Sequence, residues 1–118
     1  MSYIDGFVAA VATANKPTYL DHARNMANVF KECGAVQIVE TWGDDVPEGK
    51  LTSFTMAVQR KPDETVVFSW VVWPSKAARD AAWKKVMEDP RMKNTQMPFD
   101  GKRMIYGGFE VILDTGAK

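Results

Sequence analysis

Thr65-Val66-Val67-Phe68-Ser69-Trp70-Val71-Val72-Trp73 is the stretch whose reading decides the fold. Every residue except Ser69 is β-branched or aromatic, the composition that packs best on a pleated strand. Alternation puts Val66, Phe68, Trp70 and Val72 on one face and Val67, Val71 and Trp73 on the other. A strand this apolar on both faces is covered on both sides. The turn Lys61-Pro62-Asp63-Glu64 leads into it, and Ser75 behind it is a good N-cap for a helix from Lys76 to Asp89, closed by Pro90.

Upstream, Tyr3 to Val11 reads as a strand, again apolar on both faces. Asn15 and Lys16 cap a helix with Pro17 in its first turn, where a missing N–H is harmless. Its stripe of Tyr19, Ala23, Met26, Ala27, Phe30 and Cys33 keeps the helical period, and Gly34 suits the residue after the last turn. Ala35 to Trp42 predicts a second strand and Gly43 to Lys50 an exposed loop. Thr52 to Gln59 predicts a third strand. A polar connection through Met97-Pro98-Phe99-Asp100-Gly101 leads to a last strand at Tyr106 to Asp114.

The expected order is therefore β-α-β-β-β-α-β. It describes one α+β domain over residues 1–118: a ferredoxin-like split β-α-β sandwich, with two helices on one face of an antiparallel sheet. The fifth strand, from the 35–59 region, is left to an edge or to a crossing into a partner. Two helices cover only one face of the sheet, and an uncovered apolar face is a patch that soluble monomers rarely tolerate. A second copy placed against that face is the simplest remedy, so a homodimer through the sheet is expected.

Composition narrows the function classes. Apolar residues make up 46% and charged residues 25%, which argues for a packed globule and against disorder. Fifteen basic residues balance fifteen acidic ones, and basic pairs are followed at once by acids, so nucleic acid is not an expected partner. No run approaches the roughly 18 apolar residues of a membrane span, and the N-terminal run lacks a basic region, so neither membrane nor export is expected. The single cysteine, Cys33, excludes an internal disulfide and fits a reducing compartment, with the cytoplasm expected.

Several motifs also carry a resemblance. Tyr3-Ile4-Asp5-Gly6-Phe7-Val8, Asp44-Asp45-Val46-Pro47-Glu48-Gly49-Lys50 and Phe68-Ser69-Trp70 are three of them. Trp73-Pro74-Ser75-Lys76 with Arg79-Asp80, and Asp89-Pro90-Arg91-Met92, are two more. The longest runs from Met97 through Asp100-Gly101-Lys102-Arg103-Met104-Ile105-Tyr106-Gly107-Gly108 to Glu110. Together they resemble the DUF1428, or YbaA-like, family of uncharacterised bacterial proteins over nearly the whole chain. Ala12 departs from the proline that the family often has after its first strand. The resemblance implies the dimeric α/β-barrel superfamily, whose members include small monooxygenases, haem enzymes and ligand-binding stress proteins. It implies no established activity, and a fold alone does not settle function.

The candidate site residues are polar groups set into apolar surroundings. Arg79 falls between Trp83 and Val86 on its helix, where a guanidinium needs a partner. It is either an anion-binding group in a cavity between helix and sheet or an ion-pair partner of Asp5, Glu40 or Glu110. Those three carboxylates lie in apolar strands, so they are proton acceptors or partners of Arg79 and Arg103. His22 is a general base or ligand, or else a partly exposed helix residue. Arg103 and Tyr106 belong to the polar loop ahead of Gly107-Gly108, a pair that lets another backbone or ligand approach closely. Asp44 and Asp45 fit a turn better than a cation site. Trp70, with Trp42, Trp73, Trp83 and the methionines, lines an aromatic pocket or fills plain core. Common catalytic signatures are absent from the sequence, and no metal or cofactor is expected.

These residues leave three readings: a small-molecule binder with its pocket between helices and sheet, a cofactor-free monooxygenase-like enzyme, or a structural or interaction protein. A cavity above about 300 Å³ reaching Arg79 favours the first two, and a solid core with Arg79 fully paired favours the third.

Overall fold

A computed structural model describes residues 2–93 and 95–116. Among them are the strands β1 (Tyr3–Ala12), β2 (Gln37–Glu40), β3 (Glu64–Trp73) and β4 (Ile105–Glu110). The helices are α1 (Lys16–Glu32), α2 (Phe54–Ala57), α3 (Lys76–Glu88) and α4 (Pro90–Lys93). The sheet order is β2-β3-β1-β4, with every neighbouring pair antiparallel. Each β-α-β unit therefore has a strand of the other unit inserted between its own two, which is the split plan.

Local chemistry explains both long helices. Pro17 opens α1, and Gly34, at φ +112°, turns the chain out of it in a conformation that side chains resist. Ser75 starts α3 by accepting the Ala78 N–H at 3.1 Å, and Pro90 follows its end. Both helices lie over one sheet face. Val29 and Phe30 of α1 pack with Ala82 and Val86 of α3 on Val71 and Trp73, while Tyr19 and Ala23 pack on Ala9, Val11 and Val67.

The strand expected at Thr52–Gln59 is instead the helical turn α2. The reason lies in which residues are buried. Thr55 and Val58, three apart, are buried while Met56 and Ala57 between them and Phe54 before them are exposed, a helical and not an alternating spacing. Ser53 caps the turn by accepting the Met56 N–H at 3.0 Å, and Gln59 ends it at φ +50°. The sheet accordingly has four strands among the described residues. The other four expected strands are present: β1 and β3 each run one residue further than expected, while β2 is shortened to Gln37–Glu40 and the last strand ends at Glu110.

The turn α2 covers only one end of the outer sheet face, where Val58 packs on Val8, Ala10 and Val66. Register places Val39, Trp70, Gly6 and Gly107 in one outward row and Gln37, Val72, Ile4 and Phe109 in the next. No charged residue stands in either row. Phe109 is 61% exposed and Phe68 is 42% exposed. Among the described residues, no helix is long and apolar enough to cross a membrane.

An ion-paired arginine holds the loop before β4. Arg103 donates to Glu64 through Nη1 at 2.8 Å and Nη2 at 2.7 Å, and through Nε to Asp100 at 3.0 Å. The Arg103 guanidinium holds the Glu64 carboxyl down at about 2, against an ordinary 4.5. A carboxyl depressed by folding adds stability above its unfolded value, and that stability is lost as pH falls toward the folded one. Arg103→Met is therefore expected to lower the Tm at pH 7 and to flatten the loss of stability between pH 4.5 and about 2. An acid limb identical to that of the unmodified protein contradicts the assignment.

Candidate functional site

Alternation along β1 and β3 points Asp5, Phe7, Ser69 and Trp73 toward the helices. Asp5 is 4% exposed, and its carboxylate accepts from three side chains. Its Oδ2 accepts the indole N–H of Trp73 at 2.9 Å and that of Trp83 at 2.8 Å. Arg79 reaches the same carboxylate through Nη2 at 2.9 Å and Nε at 3.1 Å, while its Nη1 donates to Asp80 at 2.8 Å. The Tyr3 ring lies 5.1 Å from the guanidinium carbon, a cation–π contact that covers it. Arg79 thus answers the question its position raised: its partner is Asp5, joined by Asp80.

Gly108 makes this arrangement possible. A Cβ built there would stand 2.5 Å from the Tyr3 hydroxyl oxygen and 2.6 Å from Arg79 Nη2. The glycine in β4 leaves the space that Tyr3 and the guanidinium occupy.

A second polar group stands where α1 faces β2. The Tyr19 hydroxyl donates to Glu40 Oε1 at 2.5 Å. Burial, opposed by that hydrogen bond, raises the Glu40 carboxyl above its ordinary range. Burial and the Glu40 carboxylate together push the Tyr19 phenol well above its own. His22, one turn along α1, is held toward its neutral form by burial and meets Phe99 edge-on at 6.5 Å.

Between the two groups lies a cavity of about 760 Å³. Asp5, Arg79, Asp80, Glu40, Tyr19, His22, Ser69 and Tyr106 contribute its polar wall. Phe7, Phe30, Trp83 and Phe99 supply rings, and Met26, Met87, Met92, Met97 and Met104 supply flexible apolar side chains. The exposed Met87, Met97 and Tyr106 fringe its mouth. Among the described residues, no group of three or more His, Cys, Asp or Glu side chains is placed to hold a metal ion.

The family described as "Protein of unknown function (DUF1428)" matches residues 2–101. The chain belongs to the DUF1428 family. It is 58% identical over 116 residues to the uncharacterized protein YbaA of Escherichia coli (strain K12), covering 97% of this chain and 99% of that protein. The YbaA of Shigella flexneri matches equally. Among solved structures the chain is similar to SnoaB, a cofactor-independent oxygenase from Streptomyces nogalater. The TM-score is 0.56 at 10% identity, over 98% of both chains. That likeness shows the α/β fold alone.

In this DUF1428 chain the cavity brings together five of the residues singled out from sequence: Asp5, Glu40, Arg79, His22 and Tyr106. Three others stand elsewhere. Trp70 projects from the opposite sheet face, Arg103 is engaged with Glu64 and Asp100, and Glu110 is exposed near the end of β4. Sequence reasoning placed Tyr19 and Ser69 in helix and strand without a role. The signal for Tyr19 was its place on the α1 stripe, where a phenol needs a polar partner once buried.

Asp5→Ala leaves two indole N–H groups and most of a guanidinium without their acceptor. The expected loss is about 3–5 kcal/mol of stability, the usual range for breaking a buried ion pair. It should be accompanied by a changed tryptophan emission, read by chemical denaturation. A loss below about 1 kcal/mol shows that the carboxylate does not organise the site.

Proposed function

We propose that this DUF1428 protein binds a largely apolar small molecule in the cavity between helices and sheet. The observation that carries this reading is the cavity itself, about 760 Å³, reaching Arg79 and Asp5. That volume lies within the range of ligand pockets, and a few convergent polar groups in an apolar wall are their usual chemistry. The paired state of Arg79 favours the structural reading as far as it goes, because an ion pair needs no ligand. It does not account for an open cavity lined with methionines.

The site residues of this proposal are Asp5, Arg79 and Tyr106 at one end and Glu40 and His22 at the other. A thermal-shift screen against metabolites and aromatic probes is the test. Met26→Trp, which fills the cavity from α1, is expected to abolish any ligand-induced shift while leaving the unliganded Tm within a few degrees. A shift that survives it places the ligand elsewhere.

A second reading, a cofactor-free monooxygenase-like enzyme, draws support from the fold shared with SnoaB and from Glu40 and His22 as proton acceptors on the cavity wall. Oxygen uptake with a bound phenolic or enolic compound, lost in Glu40→Gln, separates catalysis from binding.

We also infer that the protein works in the cytoplasm as a homodimer joined through the outer sheet face. The uncharged rows around Trp70 and Phe109 support this, since such a patch on a monomer is prone to association. Phe109→Asp is expected to give a monomer by size-exclusion chromatography with light scattering. A protein already monomeric at tens of micromolar contradicts the dimer.

A further inference from the structure

The charges around the cavity narrow its ligand further. Three carboxylates line it, Asp5, Glu40 and Asp80, against one guanidinium, Arg79. The guanidinium is already committed to Asp5 and Asp80, with the Tyr3 ring against it. His22 adds no compensating charge, because burial favours its neutral form. Among the described residues that line the cavity, an anion therefore meets no unpaired cation and faces a surplus of negative charge.

At the other end, Glu40 Oε1 takes the Tyr19 hydroxyl, and Oε2 receives no hydrogen bond among the described residues. The carboxylate thus keeps an open acceptor on the cavity wall. Rings line the cavity at both ends: Tyr19 and Phe99 stand 6.1 Å apart on the Glu40 side, and Phe30 and Trp83 meet at 5.4 Å on the Asp5 side. Aromatic faces attract cations, most strongly where water is excluded. Methionine side chains adapt to flat ligands of differing outline.

We propose that the cavity selects flat, apolar organic cations, such as aromatic amines and quaternary ammonium compounds, with the positive centre directed to the Glu40 wall. The proposal rests on the cavity being a ligand site, and it adds the sign of the ligand's charge. Apolar area supplies most of the affinity, and the carboxylate surplus discriminates among ligands of similar size.

The test uses three fluorescent probes on the full chain at pH 8: rhodamine 6G as the cation, Nile red as the neutral compound and 8-anilinonaphthalene-1-sulfonate as the anion. Anisotropy titrations are expected to show rhodamine 6G binding at least about tenfold tighter than the anion, the ratio that roughly 1.4 kcal/mol gives. Met26→Trp should remove that binding, which places it in the cavity. Glu40→Gln is expected to weaken rhodamine 6G about tenfold and to leave Nile red unchanged. Asp80→Asn, on the exposed rim, is a second variant and should weaken the cation about two- to threefold should Glu40→Gln not fold. If Nile red or the anion binds in the cavity at least as tightly as the cation, or if neither variant changes cation affinity, the charge inference is overturned while the cavity stands. If no probe binds in the cavity, the binding reading itself fails, and this inference with it.

Discussion

Asp5 sits at the centre of the inner sheet face and accepts from Trp73 of β3 and from Trp83 and Arg79 of α3. Few single side chains tie three elements together in this way. A buried carboxylate is costly unless its oxygens are fully met, and here they are met by two indoles and a guanidinium fork. The consequences spread outward. The α3 helix cannot slide along the sheet without breaking the donors from Trp83 and Arg79. Trp83 is held as a wall of the cavity, and Arg79 is fixed over Gly108 and Tyr3. Polar groups that specify one arrangement in this way also keep the space beside them from collapsing.

The cavity is walled by small or flexible residues where α1 and α3 face the sheet. Ala9, Ala23 and Ser69 are too short to fill it, and the methionines at its edge do not close it. The two polar groups differ in kind. The Arg79–Asp5–Asp80 set has its hydrogen bonds directed inward, whereas Glu40 and His22 keep capacity toward the open space. One end is a structural lock and the other is available for recognition. Arg79 alone, read from its place on a helix, left open an ion pair and an anion site, the latter needing positive charge to spare. With its partners in view, the balance of charge in the cavity has the opposite sign.

Much of this was legible in the chain. Residues 65–73 are apolar on both faces, and that pattern marks an inner strand whose two faces both need cover. Ser75 and Gly34 mark helix limits through backbone chemistry that does not depend on tertiary contacts. The segment 52–59 misled because Phe54, Met56 and Val58 alternate like a strand. Its actual burial, Thr55 with Val58, is set by contact with the outer sheet face, which no local pattern reports. The pairing of Arg79 was open among Asp5, Glu40 and Glu110 because the choice depends on sheet register: Asp5 pairs across from Gly108, whose missing side chain leaves room for the guanidinium. Trp70 and Arg103 looked equally eligible for the site because the parity of an apolar residue does not say which face the helices take.

The central claim is that Asp5 locks Trp73 and Trp83 as one unit beside an open cavity, and indole N–H exchange in the folded protein tests it directly. With nitrogen-labelled tryptophan, four indole resonances are expected, from Trp42, Trp70, Trp73 and Trp83. Those of Trp73 and Trp83 should exchange with water far more slowly than the other two, and should lose that protection together in Asp5→Asn. Exchange of Trp73 and Trp83 at the rates of Trp42 and Trp70, or protection that survives the substitution, contradicts the account.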